Sequence, residues 1–195
     1  SCSLVGSEMC IRDSTGPNGG GKTSLLRTIL RLQSPTKGRI SFFRQGEPVS
    51  SLDMGYLPQK NSIDSRFPIT VEEVVASGLM GNTQKGNTKF DSKKEIDEML
   101  DLMGITALRN KPIGVLSGGQ LQRSLFGRAL ISKPEMLILD EPASYIDRQF
   151  GNRMFEILRD LSSNGTTIMM VSHEIEPFIT LSNRNLYINH ILGDR

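Results

Sequence analysis

The body of this 195-residue chain lacks the residues from which thiolate and imidazole metal sites are built. Its two cysteines, Cys2 and Cys10, both lie in the first ten residues, and its only histidines are His173 and His190. The scarcity of cysteine excludes a disulfide framework and favours a reducing, cytoplasmic setting. A zinc cluster of His and Cys ligands is excluded from the body. Any chemistry must therefore come from oxygen ligands, lysine and the backbone.

Long apolar runs and a strong charge of either sign are also missing. The longest apolar runs, such as 136–139, are of strand length, far short of the roughly 20 residues that span a bilayer. Lysine and arginine number 23 against 21 acidic residues, so that we expect neither a disordered chain nor a nucleic-acid partner. The length suits a single domain with a real core.

The first 14 residues match no regular pattern. They have neither strand alternation nor a helical stripe, and they lack the features of a signal peptide. The stretch SLVGSEMCIRDS resembles translated adapter sequence, and we interpret 1–14 as a non-native segment; a real but irregular terminus is the alternative. The string CIRDST before Gly16 is too polar to suit a buried central strand.

The rest of the chain alternates helix and strand patterns, which predicts an α/β fold with a helical insertion at about 62–130. Thr70 and Glu73 have the spacing of a capping box. Helices are predicted over 22–32, from Thr70, over 92–103, from near Ser117, over 147–163 and over 173–181. Strands are predicted over 39–44, 53–58, 136–139, 166–171 and 186–191.

A glycine-rich motif precedes the first predicted helix. It matches the phosphate loop G-x-x-x-x-G-K-[ST], whose glycines let backbone N–H groups converge on phosphate oxygens at a helix N-terminus. Lys22 would reach the β- and γ-phosphates, and Thr23 would place its hydroxyl on Mg²⁺. The bland alternative is a flexible glycine turn. The motif consists of Gly16, Pro17, Asn18, Gly19, Gly20, Gly21, Lys22 and Thr23.

Two adjacent carboxylates, Asp140 and Glu141, follow the apolar run 136–139. At the end of a central strand beside a phosphate loop, Asp140 would hold Mg²⁺ and Glu141 would act as a general base. Without the phosphate loop the pair would simply be a solvated loop. The two motifs together predict a nucleotide-hydrolysing site.

The segment LSGGQ at 116–120 predicts a second helix start that can bind an anion. Ser117, Gly118 and Gly119 would open the helix and face outward. A capping serine followed by a glycine turn is the alternative.

Together these segments resemble the ATP-binding subunit of ABC transporters over residues 15 to about 191. GPNGGGKT resembles the Walker A motif, LILDEP the Walker B motif and LSGGQLQR the signature. Gln59 corresponds to the Q-loop, 144–147 to the D-loop and His173 to the switch histidine. The resemblance implies a P-loop NTPase (RecA-like) parallel sheet, with the N-terminal antiparallel subdomain largely missing. No aromatic residue precedes Gly16, although family members carry one that stacks on adenine.

The resemblance also implies the cofactors ATP and Mg²⁺ and a paired ATPase. Two copies, or one copy and a paralogous subunit, would sandwich two ATP molecules. The Walker motifs of one copy would then face the signature of the other, with Asp147 beside the nucleotide. Glu141, Gln59 and His173 would be catalytic, and Thr23, Gln59 and Asp140 would bind the metal. The signature residues at the nucleotide are Ser117, Gly118, Gly119 and Gln120.

The segment 67–75 resembles the same region in importers of zinc and manganese, and a generic coupling segment is the alternative. This implies an ATP hydrolase that powers divalent-metal import, peripheral on the cytoplasmic face of the membrane, with an integral membrane permease as partner and, indirectly, a solute-binding protein. Import of another substrate such as iron chelates is one alternative. A soluble ABC ATPase that acts on DNA or ribosomes is another, and a nonfunctional fragment or regulatory nucleotide-binding module is a third.

Overall fold

The structure, a computed structural model, describes residues 11–15, 22–59, 67–80, 89–171, 184–189 and 191–194. These residues form strands and helices in alternation, which confirms the predicted α/β class. The strands are β1 (Ile11–Thr15), β2 (Phe42–Arg44), β3 (Glu47–Val49), β4 (Met54–Leu57), β5 (Met136–Asp140), β6 (Thr167–Val171), β7 (Arg184–Asn189) and β8 (Ile191–Asp194). The helices are α1 (Lys22–Ile29), α2 (Val71–Ala76), α3 (Lys89–Leu102), α4 (Gly118–Leu130) and α5 (Arg148–Ser163).

Six strands form one sheet in the order β4-β5-β6-β1-β7-β8. The first five are parallel, and β8 pairs with β7 in the antiparallel sense. Because parallel strands end at the same edge of a sheet, the carboxyl ends of β1, β4 and β5 lie at one edge. Strands β2 and β3 form a separate antiparallel hairpin.

Two strand predictions are wrong. The polar string before Gly16 forms β1, which pairs with β6 on one side and β7 on the other. The ladder uses backbone N–H and C=O groups, so a polar sequence can still occupy the centre of a sheet. The single strand predicted at 186–191 is instead the pair β7 and β8, because the apolar pattern does not mark the chain reversal between Asn189 and Ile191. The non-native origin of 1–14 stays a prediction.

Strands β5 and β6 are buried on both faces, as expected for parallel strands covered by helices. Along β5, Leu137 and Leu139 join the apolar cluster that contains α4 and α5, while Met136 and Ile138 join the cluster that contains α1. The same alternation continues along β6. Apolar clusters on the two faces of the sheet therefore fix the position of β5.

The helix starts agree with the sequence patterns. Thr70 caps α2 in a capping box, in which its Oγ1 accepts from the backbone N–H of Glu73 and the Glu73 carboxylate accepts from the N–H of Thr70. Predicted helix 173–181 lies outside the described residues. Among the described helices, none combines the length and apolar character needed to cross a bilayer.

Candidate active site

The carboxyl end of β5 places two carboxylates in different environments. Asp140 is the last residue of the strand and is only 5% exposed. Glu141 adopts a left-handed backbone conformation (φ 52°), while its N–H still donates to the carbonyl of Val171 at 2.8 Å. A left-handed conformation is costly for a residue with a Cβ and redirects the side chain away from the strand. Two adjacent carboxylates thus differ in environment: Asp140 is buried and Glu141 is half-buried.

Gln59 meets Glu141 at this edge. Strand β4 lies beside β5 with Leu57 opposite Leu139, so the residues two positions further along each strand come together. Nε2 of Gln59 donates to Oε2 of Glu141 at 2.9 Å, and the hydroxyl of Ser144 lies 3.5 Å from the same oxygen. Two of the three predicted catalytic residues are therefore in direct contact.

Lys22 is the first residue of α1, the helix that follows β1 and the glycine-rich segment. It is 8% exposed, an unusual degree of burial for a lysine, whereas Thr23 is exposed. Buried charges are normally compensated by an opposite charge or by a ligand. The rest of the predicted phosphate loop, from Gly16 to Gly21, and His173 lie outside the described residues.

The signature segment opens α4 as predicted. Ser117 is the N-cap and forms a capping box with Gln120: its Oγ accepts from the N–H of Gln120 at 3.2 Å, and Oε1 of Gln120 accepts from the N–H of Ser117 at 3.0 Å. Ser117 is exposed, so this helix start faces outward. Gly118 and Gly119 form the first turn. A Cβ at Gly119 would lie 2.8 Å from the carbonyl oxygen of Tyr145. Anion binding at this helix start stays a prediction.

Asp147 is the N-cap of α5. Its carboxylate accepts from the N–H of Phe150 at 2.9 Å and forms an ion pair with Arg123, whose guanidinium also lies 4.4 Å from the centre of the Phe150 ring. The N–H of Phe150 and then Arg123 hold the pKa of Asp147 below its ordinary value. In the described part of the chain this carboxylate therefore caps α5 and joins it to α4. Its predicted contact with nucleotide stays a prediction.

Two residues of α4 that contact the region after β5 were not predicted from sequence. Gln122 donates to the carbonyl of Pro142 at 3.4 Å, and Arg123 pairs with Asp147. A signal for Gln122 was present, because it occupies the apolar face of α4 together with Phe126 and Ala129 at helical spacing. A polar residue in such a stripe indicates a specific partner.

The sequence profile of the ABC transporter family matches residues 13–144, which include the glycine-rich motif, Gln59, the signature and the end of β5. The chain belongs to the ABC transporter family. A Chlamydia pneumoniae protein named "Probable metal transport system ATP-binding protein" is 40% identical over 181 residues, which cover 91% of this chain and 73% of that protein. The zinc uptake system ATP-binding protein ZurA of Listeria monocytogenes is 38% identical over 185 residues, covering 91% and 69% of the two chains.

Solved structures support the same fold. A dimeric ATP-binding cassette in a post-hydrolysis state with bound ADP and Pi matches with a TM-score of 0.81 at 24% identity, over 98% of this chain and 88% of that one. The predicted P-loop NTPase architecture is thereby confirmed. The chain is an ABC ATPase subunit, the component that binds and hydrolyses ATP. ATPase subunits of this family dimerise and, in importers, work with a membrane permease.

Proposed function

We propose that the carboxyl edge of the sheet is the hydrolytic site of this ABC ATPase, with Glu141 as general base. The hydrogen bond from Gln59 to Glu141 carries the proposal, because it joins two residues 82 positions apart at the edge where the phosphate loop begins. A base must lie within hydrogen-bond reach of the attacking water. Gln59 orients the carboxylate for this task. Lys22 contacts the β- and γ-phosphates, and His173 contacts the γ-phosphate.

The donor set at this edge fits Mg²⁺. Magnesium prefers oxygen ligands and is usually held by one or two protein groups together with substrate phosphates. Asp140 offers a buried carboxylate, Thr23 an exposed hydroxyl in the first turn of α1, and Gln59 an amide oxygen. When bound, the ion would neutralise charge on the phosphates. Asp140, Thr23 and Gln59 would hold it in place.

The signature helix start serves a second copy of the chain in this proposal. Ser117 is exposed and opens an outward-facing helix, whose N–H groups attract anions. The ATP of one copy, bound at the phosphate loop, would contact Ser117, Gly118, Gly119 and Gln120 of the other. The γ-phosphate thus holds two protomers together, and hydrolysis removes the contacts that favour the closed state.

Ser117→Arg should abolish ATP-dependent dimerisation and hydrolysis, because the bulky cation occupies the seam between the protomers. The substitution also removes a helix cap, which costs about 1 kcal/mol of stability. Thr70→Arg is the matched control, since Thr70 forms the same capping box on α2. Sedimentation velocity with ATP, together with a phosphate-release assay, measures both properties. A Ser117→Arg protein that dimerises and hydrolyses ATP like Thr70→Arg would contradict the shared site.

We further propose that hydrolysis by this subunit powers import of a divalent metal, zinc or manganese. The support is the zinc uptake protein that is 38% identical over 69% of its own length and the metal transport protein that is 40% identical over 73% of its length. The subunit would lie on the cytoplasmic face of an integral membrane permease, which receives metal from a solute-binding protein. The metal itself is cargo and passes through the permease.

The metal proposal predicts that cells lacking this chain and its permease lose high-affinity zinc or manganese uptake. Reintroducing the intact pair should restore uptake of radioactive ⁶⁵Zn or ⁵⁴Mn, whereas reintroduction with Glu141→Gln should not. Restored uptake of an iron chelate in place of either metal would overturn the metal assignment while leaving the ATPase assignment intact. Failure of the chain to co-purify with any membrane protein would favour a soluble ABC ATPase.

A further inference from the structure

Gln122 is a buried polar residue whose position calls for an explanation. It lies in the second turn of α4, is 1% exposed and shares the apolar face of the helix with Phe126 and Ala129. Its Nε2 donates to the carbonyl oxygen of Pro142 at 3.4 Å. Within the described part of the chain, its Oε1 has no hydrogen-bond partner. An amide half-satisfied in the core reduces stability, so packing alone does not account for a glutamine here.

The segment that Gln122 contacts is strained. Glu141 and Tyr145 both have left-handed backbone conformations, with φ values of 52° and 67°. Such a conformation is unfavourable for a residue with a Cβ and persists only when its surroundings hold it in place. Residues 141–145 therefore need external restraint to keep the side chain of Glu141 at a defined position.

Helix α4 supplies restraint at three points along 141–147. Gln122 holds the carbonyl of Pro142, the backbone of Gly119 packs against the carbonyl of Tyr145, and Arg123 pairs with Asp147. The first of these lies immediately after Glu141. Because the proline ring already fixes its own φ, holding the Pro142 carbonyl limits the orientation of the peptide that joins it to Glu141.

We propose that Gln122 is a positioning residue that holds Glu141 in its reactive geometry through the carbonyl of Pro142. The proposal rests on the role of Glu141 as general base stated above. It follows that Gln122 contributes to the chemical step and not to nucleotide binding, since its hydrogen bond goes to the backbone directly beside Glu141. Gln122 also links α4, which begins at the signature and contacts the ATP of the partner copy, to the base that acts on the ATP bound by its own copy.

Gln122→Met tests this role, because methionine keeps the length and volume of the side chain but removes both amide groups. We expect kcat to fall about ten- to a hundredfold, as for a catalytic group displaced by roughly 1 Å. The KM for ATP should stay within about twofold, and Tm should shift by no more than about 4 °C, because the orphaned Oε1 is removed as well. Ser124→Ala is the control: Ser124 is buried on the same helix, and its hydroxyl donates to the carbonyl of Gln120, one turn back.

Gln122→Asn is the second variant, since its amide is one methylene too short to reach Pro142, and it should show the same loss of kcat. Steady-state hydrolysis, normalised to the fraction of protein that binds a fluorescent ATP analogue, separates lost turnover from lost folding. Wild-type kcat in Gln122→Met, or a loss that vanishes on this normalisation, would overturn the positioning role. If Glu141→Gln is inactive while both Gln122 variants are fully active, only the present inference fails. If Glu141→Gln is active, the base assignment fails and this inference fails with it.

Discussion

Replacing Glu141 with glutamine should abolish turnover while leaving ATP bound. Glutamine has the shape of glutamate, and its amide oxygen can still accept the hydrogen bond that Nε2 of Gln59 donates at 2.9 Å. It cannot accept a proton from the attacking water. Loss of a general base lowers rates by about 10²–10⁴-fold. Because hydrolysis is what releases the closed state, the variant should accumulate as an ATP-bound dimer.

Single-turnover hydrolysis and sedimentation velocity with ATP measure these two outcomes together. Glu135→Gln is the matched control, since it makes the same exchange beside the opposite end of β5. There the carboxylate bonds to Arg44 at 2.5 and 2.7 Å, which lowers the pKa of Glu135. Losing that pair costs some stability without touching the site. Equal turnover in Glu141→Gln and Glu135→Gln would show that Glu141 is not the general base.

Replacing Gly55 with alanine should strongly destabilise the protein. Gly55 lies in β4, and a Cβ there would overlap the carbonyl oxygen of Ala129 in α4 and lie 3.0 Å from the ring of Pro134. A helix carbonyl is backbone and cannot rotate aside as a side chain can. Overpacking of this kind costs about 3 kcal/mol, which corresponds to a fall in Tm of about 10 °C for a chain of this length.

Gly78 contacts the same turn of α4, because a Cβ there would overlap the carbonyl oxygen of Arg128. The last turn of α4 is therefore packed directly against the backbone of two neighbouring segments. Gly151→Ala is the control: Gly151 lies inside α5, where, among the described residues, a Cβ would touch only the side chain of Ile146 at 4.0 Å. Alanine favours a helix over glycine by up to about 1 kcal/mol. Thermal unfolding should rank Gly151→Ala at or above the wild type and Gly55→Ala far below it, and equal melting temperatures would contradict the close packing.

Patterns confined to a few consecutive residues were predicted well. The capping box at Thr70 depends on atoms three residues apart, and its geometry agrees with the sequence spacing, while the predicted helix start at Ser117 is also present. Strand β5 followed by Asp140 and Glu141 was also predicted, because a short run of branched and apolar residues favours a buried strand. In each case the relevant interactions are local and survive in any fold that contains the segment.

Contacts between segments far apart in the sequence could not be predicted from such local patterns. The approach of Gln59 to Glu141 follows from the pairing of β4 with β5, and the family resemblance named both residues without their hydrogen bond. The glycine at position 55 could not be distinguished from an ordinary strand glycine until α4 was seen to pack on it. Gln122 was overlooked because its partner, the Pro142 carbonyl, has no side-chain signature.

The amino-acid sequence by itself therefore determined the α/β class and the helix starts, since these depend on side-chain type and short spacing, and it supplied the candidate groups of the proposed site. Only the tertiary structure decided that the polar residues 11–15 lie at the centre of the sheet, which residues touch Glu141 and which carbonyl beside it accepts from α4. The reason is physical: a backbone ladder or a carbonyl acceptor is available at almost every residue. Which of them are used depends on packing across the whole chain.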